Sequence, residues 1–125
     1  MGFHVERIDH VVLRVRDLEG MVRFYEQALG FEVERTLETL KLVQMRAGAS
    51  LLDLIQGERP ASGGNMDHLC FRIEPFDRDE IVARLSPLGI AVGETVQRYG
   101  AEGSGPSVYF HDPEGNQIEL KGAAQ

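Results

Sequence analysis

The chain has 125 residues, which suits one domain with a buried core and leaves little room for a second. Its formal net charge of −7 argues against binding nucleic acid or an anionic membrane surface, because both need clustered lysine and arginine. There is no apolar run of the ~20 residues that a membrane span needs and no pattern of a secretory signal. The single cysteine, Cys70, cannot form an internal disulfide, so we expect a cytoplasmic protein.

The first predicted elements are a strand and a helix. Residues 8–15 are rich in β-branched apolar side chains and predict the strand. Asp17 is a typical helix N-cap, and apolar residues then recur at helical spacing as far as Leu29. Gly30 favours the left-handed conformation that ends a helix. Further strands are predicted over residues 36–46 and 49–55.

A second set of elements follows a segment rich in glycine and proline, residues 58–65, which predicts a linker. Asp77 and Glu80 have the spacing of a capping box and predict a second helix. Pro87 weakens the last turn of this helix and Gly89 ends it. Strands are predicted over residues 68–73, 90–96, 107–110 and 116–121.

The two sets of elements are alike in sequence. His10-Val-Val-Leu-Arg-Val matches His68-Leu-Cys-Phe-Arg-Ile, and Leu51-Leu-Asp-Leu matches Gln117-Ile-Glu-Leu. Such internal similarity indicates a duplicated supersecondary unit. We therefore predict a single α+β domain over residues 1–125, with module 1–57 and module 66–125 joined by the linker, and with helices outside curved, mostly antiparallel sheets.

Four residues of metal-ligand type occupy matching places in the two modules. Alternate side chains of a strand share a face, so His10 and His68 lie opposite the apolar positions that pack against the helices. Asp53 and Glu119 are carboxylates between apolar neighbours, which is costly unless each is paired or bound to a cation. Two imidazoles and two carboxylates predict a divalent-metal site suited to Zn, Ni, Fe, Mn or Co.

Four motifs carry a family likeness: Ile8-Asp-His-Val-Val-Leu13, Arg23-Phe-Tyr-Glu-Gln-Ala-Leu-Gly-Phe31, Asp67-His-Leu-Cys-Phe71 and Asp112-Pro-Glu-Gly-Asn-Gln-Ile-Glu-Leu120. With them the chain resembles the vicinal oxygen chelate superfamily, which includes glyoxalase I, extradiol dioxygenases and bleomycin-binding proteins. The resemblance implies two βαβββ modules around a metal-binding cavity, and a homodimer with the cavity at the subunit interface. It also implies that the four residues named above are the ligands.

Within the superfamily, the ligand order most resembles that of glyoxalase I, the lactoylglutathione lyase. This resemblance implies lyase or isomerase chemistry in which the metal, as a Lewis acid, stabilises an enediolate or oxyanion on a small oxygenated substrate. Glu119 or Asp53 would then be the base that moves the proton. Arg14 matches an arginine that glyoxalase I uses on glutathione, and Arg72 is its repeat partner, so both are candidate substrate-binding residues.

Two other functions fit the same residues. An extradiol dioxygenase would hold Fe(II) on His10, His68 and Glu119, and Tyr109 stands where such enzymes keep an active-site tyrosine. A non-catalytic protein that binds a small molecule or confers resistance belongs to a different class, and metal content would separate it from the enzymes. Residues 100–105 are glycine-rich, which fits either a flexible substrate loop or a plain hairpin connection.

Overall fold

The computed structural model describes residues 2–58, 64–113 and 115–125, so residues 59–63 of the predicted linker lie outside the described residues. The chain divides into two compact units. The N-terminal unit is His10–Asp67, and the C-terminal unit combines Met1–Asp9 with His68–Gln125. The start of the chain therefore belongs to the C-terminal unit, whereas the sequence pattern places it in the first module.

The N-terminal unit is a four-stranded sheet with one helix. Its strands follow the order β2-β3-β4-β1, in which β1 runs parallel to β4 and the other neighbours are antiparallel. The elements are β1 (His4–Val15, from His10 onward in this unit), α1 (Leu18–Leu29), β2 (Glu32–Leu37), β3 (Leu42–Ala47) and β4 (Ser50–Gln56). The strand predicted over residues 36–46 is a hairpin instead. The chain reverses at Lys41, which has a φ of 51°, and the Lys41 N–H donates to the Glu38 carbonyl at 3.1 Å.

The C-terminal unit repeats this topology. Its strands follow the order β5-β8-β7-β6, with β5 parallel to β8 and the other neighbours antiparallel. The elements are β5 (Met66–Glu74, from His68 onward in this unit), α2 (Arg78–Leu85), a 3₁₀ turn (Ser86–Leu88), β6 (Val96–Gly100), β7 (Gly103–His111) and β8 (Gln117–Lys121). Two copies of the βαβββ motif confirm the predicted α+β duplication.

One predicted strand of this unit is wrong. Of residues 90–96, only Val96 lies in a strand. The carbonyls of Val92 and Gly93 accept hydrogen bonds from the Arg78 guanidinium, at 3.1 and 2.9 Å. A side chain therefore satisfies these backbone groups, which in a strand would bond to a neighbouring strand. The glycine-rich segment 100–105 belongs to the hairpin of β6 and β7, whose turn is Ala101 and Glu102, since Gly100 pairs with Gly103.

The predicted ends of α1 and the predicted start of α2 are confirmed, whereas α2 ends at Leu85 and not at Gly89. Asp17 accepts a hydrogen bond from the Gly20 N–H at 3.0 Å, and Gly30 ends α1 with a φ of 72°. Asp77 accepts from the N–H groups of the first turn of α2, and Gly89 follows the 3₁₀ turn with a φ of 80°. Among the described residues, no helix combines the length and the apolar character needed to cross a membrane.

Each unit has its own core between the sheet and the helix. In the N-terminal unit, Val43, Met45 and Leu54 are buried against apolar residues of α1 and β1. In the C-terminal unit, the buried residues are Ile73, Ile81, Val108 and Leu120. The side chains that alternate with these core residues along each strand must lie on the other face of each sheet, where the predicted ligands are found.

Candidate metal centre

The centre of the site in the C-terminal unit is a histidine–carboxylate pair. His68 on β5 and Glu119 on the neighbouring β8 bring Nε2 and Oε1 within 3.1 Å of each other. The Glu119 side chain is 1% exposed and the His68 side chain 13%. Ser107 on β7 donates its hydroxyl to the other oxygen of Glu119, Oε2, at 2.7 Å. Both carboxylate oxygens therefore have polar partners, as burial requires.

The strand pattern explains why this carboxylate is buried. Ile118 and Leu120 pack into the core beside α2, so Glu119 between them must face away from the helix. On β8 it lies beside Cys70 of β5 and opposite Tyr109 of β7. These neighbours leave the carboxylate little contact with water.

Tyr109 borders the pair on the β7 side. Its ring meets the ring of His68 edge-on, with centroids 5.6 Å apart and an interplanar angle of 76°. Its hydroxyl accepts a hydrogen bond from Arg98 Nε at 3.1 Å. Burial and then the negative charge of Glu119 raise the pKa of Tyr109 to about 12. The phenol is therefore neutral at physiological pH and keeps its proton for a hydrogen bond.

We expect this raised pKa to appear in an absorbance titration of the three tyrosines, by subtracting the curve of Tyr109→Phe from that of the unmodified protein. The difference should show ionisation near 12 rather than near the ordinary ~10. Because the folded-state pKa is the higher one, its contribution to stability is present below pH ~10 and is lost as the pH rises through the folded value. A difference curve centred near 10 in the folded protein would contradict this environment.

The N-terminal unit carries the matching pair of predicted ligands. His10 and Asp53 are 3% and 4% exposed. Asp53 is paired with Val12 of β1, and His10 is two residues before Val12, so His10 and Asp53 lie on the same face of the sheet. This face looks away from α1. Gln44 on β3 donates Nε2 to Asp53 Oδ2 at 3.1 Å. The Gln44 amide oxygen is buried and has no hydrogen-bond partner among the described residues. This unit therefore offers a buried imidazole, a buried carboxylate and an amide on one face.

The two predicted substrate-binding arginines both form ion pairs. Arg14 Nη2 lies 2.6 Å from an oxygen of Asp67. Arg72 is 7% exposed and contacts Glu102 at 2.6 Å and Glu74 at 3.1 Å. The hydrogen bond from Arg72 is the main cause that lowers the pKa of Glu102. These contacts are those of structural ion pairs, and substrate binding by Arg14 and Arg72 stays a prediction.

Three polar residues beside the predicted site residues were not found from the sequence. Ser107 and Arg98 resemble ordinary strand residues in a single sequence, because their partners lie on other strands. Gln44 had a detectable signal. It lies between Val43 and Met45, both buried, and a polar residue between apolar strand neighbours is the pattern that pointed to Asp53.

Three known proteins show what this chain is similar to. It is 36% identical to the virulence protein STM3117 of Salmonella typhimurium, covering 93% of this chain and 83% of that protein. It is 29% identical to the fosfomycin resistance protein FosX of Mesorhizobium japonicum, covering 93% and 85%. A methylmalonyl-CoA epimerase variant of Streptomyces coelicolor, solved with 2-nitronate-propionyl-CoA, has a TM-score of 0.69 at 27% identity, covering 97% and 96%.

A family model assigns the chain to a family. The family model described as Glyoxalase/Bleomycin resistance protein/Dioxygenase superfamily matches residues 7–120, nearly the whole chain. The matched segment includes all four predicted ligands and nearly all of both copies of the βαβββ motif. The chain therefore belongs to the glyoxalase/bleomycin resistance protein/dioxygenase superfamily.

Proposed function

We propose that the protein is a divalent-metal-dependent enzyme that performs lyase or isomerase chemistry on a small oxygenated substrate. His10, His68 and Glu119 are the proposed ligands, with Asp53 as the fourth. The observation that carries the proposal is the contact between the partly buried His68 and the buried Glu119, whose carboxylate is also hydrogen-bonded by Ser107. A lyase similar to glyoxalase I is the specific form that the ligand order favours.

The pair fits a metal in both chemistry and spacing. Two ligand atoms that are each about 2.0–2.2 Å from one ion lie roughly 3 Å apart, and His68 Nε2 and Glu119 Oε1 are 3.1 Å apart. A mixed nitrogen and oxygen set suits Zn, Ni, Fe, Mn or Co. The hydroxyl of Ser107 supports the carboxylate in the way that outer residues orient ligands at metal sites.

When bound, the ion would supply Lewis-acid polarisation of substrate oxygens. The protein's own groups would transfer the proton and stabilise the developing negative charge. Glu119, or Asp53 in the other unit, would accept a proton from the hydroxyl-bearing carbon next to a carbonyl and return it to the carbonyl carbon. The hydroxyl proton passes to the neighbouring oxygen, so the substrate is isomerised and no other reactant is consumed. The neutral Tyr109 phenol donates a hydrogen bond to the oxygen on which negative charge develops. Burial of Glu119 strengthens each of these electrostatic interactions.

Inactivation of fosfomycin is a second candidate function. The specific observation in its favour is the 29% identity to the FosX fosfomycin resistance protein, which extends over 93% of this chain. Fosfomycin is a small, oxygen-rich anion, so it belongs to the substrate class proposed above. The same two proposed ligands, His68 and Glu119, would serve either reaction.

Parallel assays test the proposal. The protein is loaded separately with each of the five metals and given the hemithioacetal of methylglyoxal and glutathione, fosfomycin, or catechols. We expect turnover of the hemithioacetal that a chelator abolishes. Chelator-sensitive loss of fosfomycin alone would establish the second candidate, whereas ring cleavage of a catechol would establish a dioxygenase. No turnover with any metal would contradict the proposal.

Ser107→Ala provides a sharper version of this test. Losing an outer residue that supports a ligand typically lowers metal affinity or activity by about 10–100-fold. The matched control is Ser104→Ala, because Ser104 is an exposed residue of the same strand. Equal behaviour of the two variants would argue against a supporting role of the Ser107 hydroxyl at the metal site.

A further inference from the structure

We infer that Arg98 is a specificity-determining residue that binds an oxyanion group of the substrate, either a carboxylate or a phosphonate. The inference rests on the proposed function, in which His68 and Glu119 near Arg98 bind the metal. It adds the chemical class of the substrate, a small compound with an anionic group near its reacting oxygens.

The first support is the way in which the guanidinium of Arg98 is held. Nε donates to the Tyr109 hydroxyl at 3.1 Å, Nη1 donates to the Gln97 carbonyl at 2.9 Å, and the guanidinium lies over the Tyr109 ring, 5.7 Å from its centroid. Within residues 2–58, 64–113 and 115–125, Nη2 has no hydrogen bond. The side chain is therefore fixed at two points, while one edge still offers donors to an incoming group.

The second support is the missing carboxylate partner. Arginines that do form ion pairs with Asp or Glu include Arg7, Arg14, Arg16, Arg46, Arg72 and Arg78. Among the part of the chain that the structure describes, Arg98 forms none, although the net charge of −7 makes acidic partners plentiful. Its cross-strand neighbour is Gly105, so no acidic side chain faces it from the paired position of β7. An exposed guanidinium without a protein anion is available to bind an anion from solution.

The third support is position within the sheet. Arg98, Tyr109 and Glu119 lie on the adjacent strands β6, β7 and β8, and Tyr109 joins the other two. The Tyr109 ring lies beside both the Arg98 guanidinium and the ring of His68. A substrate whose oxygens reach His68 and Glu119 would therefore bring an adjacent anionic group to Arg98. A guanidinium can bind such a group through two parallel hydrogen bonds.

The test measures anion binding directly. The probes are methylphosphonate, acetate and neutral acetamide, titrated into both metal-free and metal-loaded protein, with backbone amide NMR shifts as the readout. The variants are Arg98→Gln, Arg98→Lys and the control Arg16→Gln. Arg16 is a suitable control because it is an exposed arginine far from Arg98 in the sequence. Its side chain is 73% accessible and lies beside Glu58. Because Arg98 is also exposed, its variants should fold.

We expect both anions to bind more tightly than acetamide, and Arg98→Gln to weaken anion binding by roughly tenfold or more, the effect of losing a hydrogen bond to a charged group. Arg98→Lys should lie between, since it keeps the charge and loses the two-pronged geometry. Arg16→Gln should stay within about twofold of the unmodified protein, as exposed ion pairs contribute little. Tighter binding of methylphosphonate than of acetate would assign a phosphonate, and the reverse order would assign a carboxylate.

Two results would overturn the inference. One is that neither anion binds at millimolar concentration, and the other is that Arg98→Gln binds as the unmodified protein does. An Arg98 that only supports Tyr109 would give the second result, together with an altered pKa of the phenol. Failure of the proposed function looks different, because the protein would then hold no metal while the effect of Arg98→Gln remained in the metal-free titration.

Discussion

Glu119→Gln should lower turnover of the identified substrate by about 10²–10⁴-fold, the usual cost of losing a general base. The replacement keeps the shape of the side chain and removes its charge, so the amide is both a poor proton acceptor and a poor metal ligand. It also disturbs the contacts with His68 Nε2 at 3.1 Å and with the Ser107 hydroxyl at 2.7 Å. We therefore expect metal content to fall together with activity.

The matched control for this variant is Glu26→Gln, which removes the same charge from an exposed residue of α1. Steady-state kinetics and metal analysis of both variants provide the measurement, with circular dichroism to confirm that each is folded. Survival of turnover within about threefold in Glu119→Gln would mean that Glu119 is neither the base nor a necessary ligand, since either role costs more than that.

Leu54→Ala should lower the free energy of unfolding by about 2–5 kcal/mol. Leu54 is 0% exposed and belongs to the core that joins α1 to the sheet. Its replacement by alanine leaves a cavity that the close-packed neighbours Val43 and Met45 cannot fill. The variant also tests how the site is built, because the burial of Leu54 forces its neighbour Asp53 to the opposite face of β4.

Urea denaturation of Leu54→Ala and of a control, Leu40→Ala, provides the measurement. Leu40 lies in the turn between β2 and β3 and is 57% exposed. A substitution at such a surface position usually changes stability by no more than about 0.5 kcal/mol. Equal destabilisation by the two variants would show that the core beside α1 does not hold this unit together as described.

Local sequence patterns made much of the fold predictable. The period-two pattern placed His68 and Glu119 on the face away from the helices, and the structure has Leu120 in the core and Glu119 on the other side of the strand. Asp17 and Gly30 marked the ends of α1 because capping depends on local backbone chemistry. These features all come from residues close together in sequence.

Features set by distant residues were not predictable. Ser107 reaches Glu119 from twelve positions away, and Gln44 reaches Asp53 from the neighbouring strand. Such contacts depend on strand order and register, which hydrophobic periodicity does not give. The incorrect prediction of a strand over residues 90–96 has a similar cause, because Arg78 on α2 donates hydrogen bonds to the carbonyls of Val92 and Gly93.

Asp53 is the proposed ligand whose role separates the possible chemistries. The structure gives its carboxylate a hydrogen bond from Gln44, whereas the Glu119 carboxylate contacts a histidine of the same unit. A site that uses Asp53 directly has four protein ligands, as the lyase proposal requires. A site without it has two histidines and one carboxylate, the set associated with Fe(II) dioxygenases.

Metal content tests the central claim most directly. The protein is purified without exposure to chelator, and its bound transition metals are measured by elemental mass spectrometry beside a His68→Ala variant. We predict about one equivalent of a divalent transition metal per chain, lost in the variant, as expected for a site with several protein ligands. Well under one tenth of an equivalent in the unmodified protein, or equal occupancy in His68→Ala, would contradict the assignment of a metal-dependent enzyme.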